Sequence, residues 1–240
     1  MDYERVTTRE FTICVCRSRT FMDIGSLARV VASLRHAGHK VNIIPDLCET
    51  AKDDAGMMCT IAGTEVVGCH SRAVKALFAH CGYEPVRIYD LRAKSAGEVL
   101  SEAGVEGWDA DEREMAAVRE EILAYPLKQG TDAWYPVIDR DRCIDCGKCH
   151  EFCLFGVYSI DGGLKVANPG ECKNDCPACA RICPEAAVIF PKYQRSPING
   201  GQDNEEEALG LDVKDLYAEA LRQRLQHRRR SVSLLKKEDQ

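Results

Sequence analysis

Cys143-Ile144-Asp145-Cys146-Gly147-Lys148-Cys149-His150-Glu151-Phe152-Cys153 and Cys172-Lys173-Asn174-Asp175-Cys176-Pro177-Ala178-Cys179-Ala180-Arg181-Ile182-Cys183-Pro184 are the two runs that decide how this chain is read. Together they hold eight of its 14 cysteines. Three closely spaced thiolates can wrap a tight loop around one face of a 4Fe-4S cubane, while a fourth, further along at a helix start, points away from it. The pattern occurs twice, so two such clusters are expected, and with them one-electron transfer.

Zinc and disulfides are the competing uses of cysteine. Zinc sites usually show two separated Cys-x-x-Cys knuckles and need only four ligands, which explains two groups of four with a Cys-Pro ending poorly. Disulfides suit secreted chains. Met1-Asp2-Tyr3-Glu4-Arg5 is charged and no apolar stretch follows it, so a secretory leader is not expected. The expected setting is a reducing cytoplasm.

The remaining composition is ordinary. The chain has 240 residues, a formal net charge of -6, 29% charged and 45% hydrophobic residues. That length allows one large or two small domains. An acidic balance gives no general attraction to nucleic acid or anionic lipid. No apolar run approaches the length of a membrane span.

Outward from the cysteine runs, the chain divides into an α/β region (1–106), a helical connector (107–136), a two-cluster region (137–195), and a linker with a charged helix (196–240). Short, apolar, partly β-branched strands are expected at 11–16, 41–44, 65–69 and 85–89. Between them Ile24, Leu27, Ala28 and Val31, and later Val74, Leu77, Phe78 and Cys81, recur with helical spacing. Strands alternating with helices imply a parallel, doubly wound sheet of Rossmann or flavodoxin-like type. Met115, Val118 and Ile122 mark one face of the connector helix, which Pro126 and Gly130 end. Ser196-Pro197-Ile198-Asn199-Gly200-Gly201 reads as a turn-rich linker. Beyond it Val213, Leu216, Tyr217, Ala220, Leu221 and Leu225 form an apolar stripe on a helix with a basic end, suited to covering the core or docking on a partner.

The stretch 139–191 resembles the two-cluster bacterial-type ferredoxin domain, a small α+β fold. In that arrangement the fourth cysteine of each run ligates the other cluster. The resemblance therefore implies Cys143, Cys146, Cys149 and Cys183 for one cluster, and Cys172, Cys176, Cys179 and Cys153 for the other. Leu154 stands where a proline is usual, and three residues rather than two separate Cys172 from Cys176. Lys148, Arg142 and Arg181 are candidates for tuning the potentials.

Most of the other cysteines fall near predicted strand ends. Cys16 closes the first strand, Cys48 follows the second, Cys59 lies in the next loop and Cys69 ends the third. All four are expected at the carboxyl edge of one parallel sheet, where such sheets place their ligands. They are the candidate ligands of a third 4Fe-4S cluster, with buried thiols or a small zinc site as alternatives and His70 as an alternative ligand. Cys69, at a helix start, is expected to have a lowered pKa. Cys81, on an apolar helical face, is expected in the core.

This region, 11–105, resembles the amino-terminal domain of the flavin-bearing subunit of heterodisulfide reductase through Val66, Val67, Cys69, Arg72, Leu77 and Phe78. The alignment puts Ser18 where that family has a second cysteine and leaves open whether Cys14 substitutes. No Gly-x-Gly-x-x-Gly turn or Walker loop occurs, so this chain alone is not expected to bind flavin or nucleotide. The two resemblances imply an iron-sulfur electron-transfer subunit without catalytic residues of its own. Its partner would be a heterodisulfide-reductase-like enzyme, a hydrogenase or formate dehydrogenase, or a tungsten or molybdenum aldehyde-type oxidoreductase of an anaerobe. Rival readings are an iron-sulfur redox sensor that binds a target, and an enzyme acting at the Cys69 edge.

Overall fold

The computed structural model describes residues 8–19, 21–105, 110–127 and 133–202. All of them lie in one compact unit, Met1–Glu205. The expected carboxyl-terminal helix, with Val213 to Leu225 on its stripe, lies outside the described residues.

Four parallel strands form the centre: β1 (Glu10–Cys14), β2 (Lys40–Ile44), β3 (Glu65–Gly68) and β4 (Arg87–Asp90), in the order β2-β1-β3-β4. The inner pair β1 and β3 bury Phe11, Ile13, Val66 and Val67 almost completely. Strands covered on both faces read as continuous apolar runs, which is why these segments are legible in the sequence. Each fully buried aliphatic or aromatic side chain contributes roughly 1.5–3 kcal/mol relative to exposure.

Helices cover both faces. On one lie α1 (Ile24–His36), α5 (Ala96–Glu102) and α6 (Glu112–Ala124), which pack on one another through α1. Asp23 starts α1 by accepting from Ser26 N at 2.7 Å. Capping boxes start α5 (Ser95 with Glu98) and α6 (Asp111 with Glu114). The expected connector is therefore more than a spacer: α6 buries Val118 and Ile122 and pairs Glu121 with Arg35 at 2.6 Å. The other face carries α2 (Leu47–Asp53), α3 (Ala55–Ala62) and α4 (Ser71–His80). The short helices α2, α3 and α5 lack a long apolar period, so periodicity does not reveal them.

The second half of the unit is built from two short antiparallel pairs. β5 (Val137–Ile138) pairs with β8 (Val188–Ile189), and β6 (Tyr158–Ile160) with β7 (Leu164–Val166). Between the strands lie α7 (Lys148–Phe152) and α8 (Ala178–Arg181). This half joins the α/β half along α4, against which β5 packs. The segment 196–201 is turn-rich as expected, but it is packed. Asn199 and Ser196 are buried, and a Cβ on Gly200 (φ +92°) would meet Ala73 N and Cβ at 2.8 Å. The chain needs glycine there because α4 passes so close.

Candidate functional site

The two cysteine runs share left-handed positions in their backbones. Asp145 (φ 51°) precedes Cys146 and Asp175 (φ 57°) precedes Cys176, both in the left-handed region. Gly156 (φ 68°) and Ala186 (φ 46°) repeat the feature, each three residues after the fourth cysteine of its run. Left-handed residues without glycine cost energy and cluster where a site demands them. The match places the extra residue of the Cys172 loop upstream of Asp175, but the two turns differ after the cysteine, where Gly147 has φ 75° and Pro177 φ -94°.

One pocket is lined by Cys143, Cys146, Cys149 and Cys183, with Ile144, Lys148 and Leu164 at its walls. A second group surrounds Cys172, whose thiol is pushed up to about 12 by burial and then by Cys179, Cys176 and Cys153. Each group thus takes three thiols from one run and the fourth from the other. Burial likewise raises Cys149 to about 11 and Cys179 to about 12. All 14 cysteines are free thiols. Among the described residues no three His, Cys, Asp or Glu side chains gather tightly enough to share one metal ion. Thiols arranged around a pocket, four to a group, fit a polynuclear iron-sulfur body whose corners each take one ligand.

A third set of thiols meets where β1 and β3 end, the point at which a sheet of this order reverses direction and binds ligands. Cys14 ends β1 and Cys16 lies two residues beyond it, Cys48 lies in the first turn of α2, and Cys69 follows β3. Cys14 responds first to burial and then to Cys16, Asp46 and Cys69; Cys48 responds to burial, Lys192, Asp46, Cys69 and Cys16. The two strand ends are neighbours: a Cβ on Gly68 would stand 3.8 Å from that of Cys14, an ordinary contact. Cys16 has φ 48°. Leu47 N donates to Cys14 Sγ at 3.3 Å.

Against expectation, Cys59 is not in this set. It lies exposed on α3, beside Tyr83, whose pKa its thiol raises. Helix α3 turns the residue to solvent, and the loop geometry assumed for it does not exist. Cys14 is the fourth thiol at the sheet edge instead. The expected low pKa of Cys69 is also overturned, because burial pushes the thiol up to about 12. His70 occupies the residue before α4 without a capping bond from its side chain, and its Nδ1 lies 3.4 Å from Asp90 Oδ2. Cys81 is half-buried at the end of α4 and donates to Ala51 O at 3.2 Å.

The stretch 135–158 matches the family model for a 4Fe-4S binding domain. An uncharacterized ferredoxin of Methanocaldococcus jannaschii is 44% identical, over 28% of this chain and 47% of its own length. Ferredoxin-3 of Nostoc sp. is 32% identical, over 25% of this chain and 84% of its own. The chain belongs to the 4Fe-4S ferredoxins. A third relative, pyruvate synthase subunit PorD of Thermotoga maritima, is 36% identical over 24% of this chain and 62% of its own length. This chain thus spans about half the length of the first of these relatives and more of the others.

Two site residues of this ferredoxin carried no signal in the cysteine spacing. Tyr158 on β6 is buried and donates its hydroxyl to Cys179 Sγ at 3.0 Å. Its own pKa is pushed up by burial and by Cys179, Cys149 and Cys153, which places it between the two thiol groups. Lys192, just past β8, is the other. It donates to Asp46 Oδ2 at 2.6 Å and to Cys16 Sγ at 3.7 Å, and it also meets Ser18 Oγ. Burial opposes its charge, but Cys48, Cys16 and Asp46 outweigh burial and hold its pKa above the usual lysine value. Of the expected tuning residues, Lys148 lines the first pocket, while Arg142 faces Asp139 at 3.9 Å and Arg181 reaches Tyr193 Oη at 3.3 Å.

Proposed function

We propose that this protein is an iron-sulfur electron-transfer subunit that relays electrons to or from a catalytic partner in an anaerobic oxidoreductase complex. Cys143, Cys146, Cys149 and Cys183 would hold one 4Fe-4S cluster, and Cys172, Cys176, Cys179 and Cys153 a second. The observation that carries the reading is the crossing of the two runs, since the fourth thiol of each then lies where a two-cluster ferredoxin needs it.

The thiols of Cys14, Cys16, Cys48 and Cys69 would hold a third cluster at the sheet edge. A bound cluster takes up and gives back one electron at a time, at a potential set by charge, hydrogen bonds to sulfur and exposure. The protein's part is to present thiols, to donate to their sulfurs from Tyr158, Leu47 N and Lys192, and to bury them from water. The resemblance of the α/β half to the flavin-bearing subunit of heterodisulfide reductase supports a role within a larger assembly. So does PorD, named as part of pyruvate synthase. The proposed domains are 1–106 for the α/β half, 107–136 for a helical connector, 137–195 for the ferredoxin, and 196–240 for a linker and a charged docking helix.

Iron and acid-labile sulfide per chain, measured on anaerobically purified protein with electron paramagnetic resonance after dithionite reduction, test the reading. About twelve irons correspond to three clusters, at four irons each. About eight would confine the clusters to the ferredoxin half. Zinc without iron would overturn the proposal.

A further inference from the structure

Lys192 is the least exposed lysine or arginine among the described residues, at 2%. It belongs to the ferredoxin half, where Tyr193 N bonds back to Phe190 O at 2.9 Å and turns the chain directly after β8. Its side chain leaves that half and ends among groups of the α/β half. An ammonium has three donors and no acceptor. Here the three partners are the Asp46 carboxylate, the Ser18 hydroxyl and the Cys16 sulfur.

The carboxylate is equally committed. Asp46 Oδ1 accepts from Cys48 N at 3.0 Å and Glu49 N at 3.2 Å, which caps α2. Its Oδ2 takes Lys192 and the Ser18 hydroxyl, the latter at 2.8 Å. A pair that served only to join two halves would need no thiol partner. This ammonium instead spends one donor on the sulfur of Cys16, whose backbone is held in the left-handed region, and stands beside Cys48 as well. Four thiolates around an iron-sulfur cluster make a buried anionic site that becomes more negative by one on reduction. A fixed buried cation next to its sulfurs favours the reduced form.

We infer that Lys192 is the charge-compensating residue of the Cys14, Cys16, Cys48 and Cys69 site, so that the ferredoxin half sets the reduction potential of a cluster held by the α/β half. The inference rests on the third cluster of the preceding reading. Lys192 acts through Cys16 and is therefore a positioning residue. It makes electron affinity at the sheet edge depend on correct seating of the segment after β8, which also lies a few residues from the cluster ligand Cys183.

The test is a redox titration of the full chain, anaerobically reconstituted with iron and sulfide and followed by electron paramagnetic resonance. Lys192→Met removes the charge. Lys192→Gln removes it while keeping an N–H donor for Asp46, which guards against a folding failure of the first variant, and Lys192→Arg keeps the charge. In both neutral variants the reduced-to-oxidised ratio of one cluster at fixed potential is expected to fall on the order of tenfold, about 59 mV for a one-electron couple. The other two clusters should titrate as in the wild type, and the arginine variant should restore the first. Unchanged potentials in the neutral variants, or an equal shift of all three clusters, would overturn the role of Lys192. Wild-type protein with only eight irons would instead remove the third cluster itself, before any variant is made.

Discussion

Arg72 Nε donates to Asp139 Oδ2 at 2.9 Å, tying the helix that follows Cys69 to the strand end that leads into Cys143. The same guanidinium donates to Ala186 O at 2.9 Å and to Gly201 O at 3.1 Å. Ala186 is the left-handed residue after Cys183, and Gly201 closes the packed turn beside Gly200. One side chain thus holds three segments that bear on both thiol-rich halves. Lys75 with Asp141 and Arg92 with the carbonyls of Tyr193 and Gln194 lie along the same seam.

Replacing Arg72 by alanine would leave Asp139, whose side chain is 8% exposed, without its closest cation. Breaking a buried pair by removing one partner costs about 3 kcal/mol or more. The Arg72→Ala variant is expected to unfold at lower denaturant concentration by that margin, with Arg72→Lys only partly restoring it, because an ammonium cannot span three separated acceptors. A chemical denaturation series under anaerobic conditions measures this. A wild-type midpoint for the alanine variant would show that the seam is held elsewhere.

Removing the hydroxyl of Tyr158 tests how sulfur hydrogen bonds tune the two proposed ferredoxin clusters. The Tyr158 Oη to Cys179 Sγ bond is 3.0 Å and buried, and a donor to a ligand sulfur favours the reduced state by stabilising its extra negative charge. Tyr158→Phe keeps the ring in its core position. The cluster that includes Cys179 is expected to become harder to reduce, while the Cys143 cluster shifts less. Redox titration separates the two, and equal shifts in both would contradict the assignment of Tyr158 to Cys179.

How much of this is legible in the sequence depends on whether a residue's role is local. The four central strands and helices α1, α4 and α6 follow from apolar periods within single segments, and Phe11, Leu27, Val74 and Ile122 are buried where those periods put them. The cysteine runs at 143–153 and 172–183 carry their own spacing, which announces two groups of four, while the exchange of the fourth thiol between them is what the ferredoxin resemblance implies. The third set cannot be resolved that way, because choosing between Cys14 and Cys59 requires knowing that 55–62 is a helix rather than a loop. Helix α3 has no long apolar stripe to announce it. Lys192 is invisible for a stronger reason. Its partners Cys16, Ser18 and Asp46 are distant in sequence, and a lone lysine after a strand reads as a solvated surface residue.

The corrected third set makes a direct prediction with cysteine variants. Cys14→Ser and Cys69→Ser are each expected to lower the iron content of anaerobically purified protein by about four per chain, one cluster's worth. Cys59→Ser should leave it unchanged, because Cys59 is exposed on α3 and is not among the thiols that act on Cys14, Cys48 or Cys69. Iron analysis beside a fold check by circular dichroism measures both. Loss of iron in the Cys59 variant, with full iron in the Cys14 variant, would return the site to the arrangement expected from sequence.

Removal of iron should not affect the two halves equally. The ferredoxin half has strands of two or three residues and a small core around Trp134, Ile138, Val157, Leu164 and Phe190. Cys149 and Cys179 are themselves part of that core. A structure of this size depends on a staple of some kind, and bound clusters supply one. The α/β half has a continuous core from Phe11 through Leu27 and Val66 to Leu77, in which the thiols Cys14, Cys16 and Cys48 occupy only the sheet edge. After oxidative removal of iron with a chelator present, hydrogen exchange is therefore expected to accelerate first in β6, β7, α7 and α8. Amides of β1, β3 and α1 should stay protected. If protection fell together in both halves, the seam at Arg72 would be strong enough to make the unit unfold as one, and the clusters would stabilise the whole of it rather than their own loops.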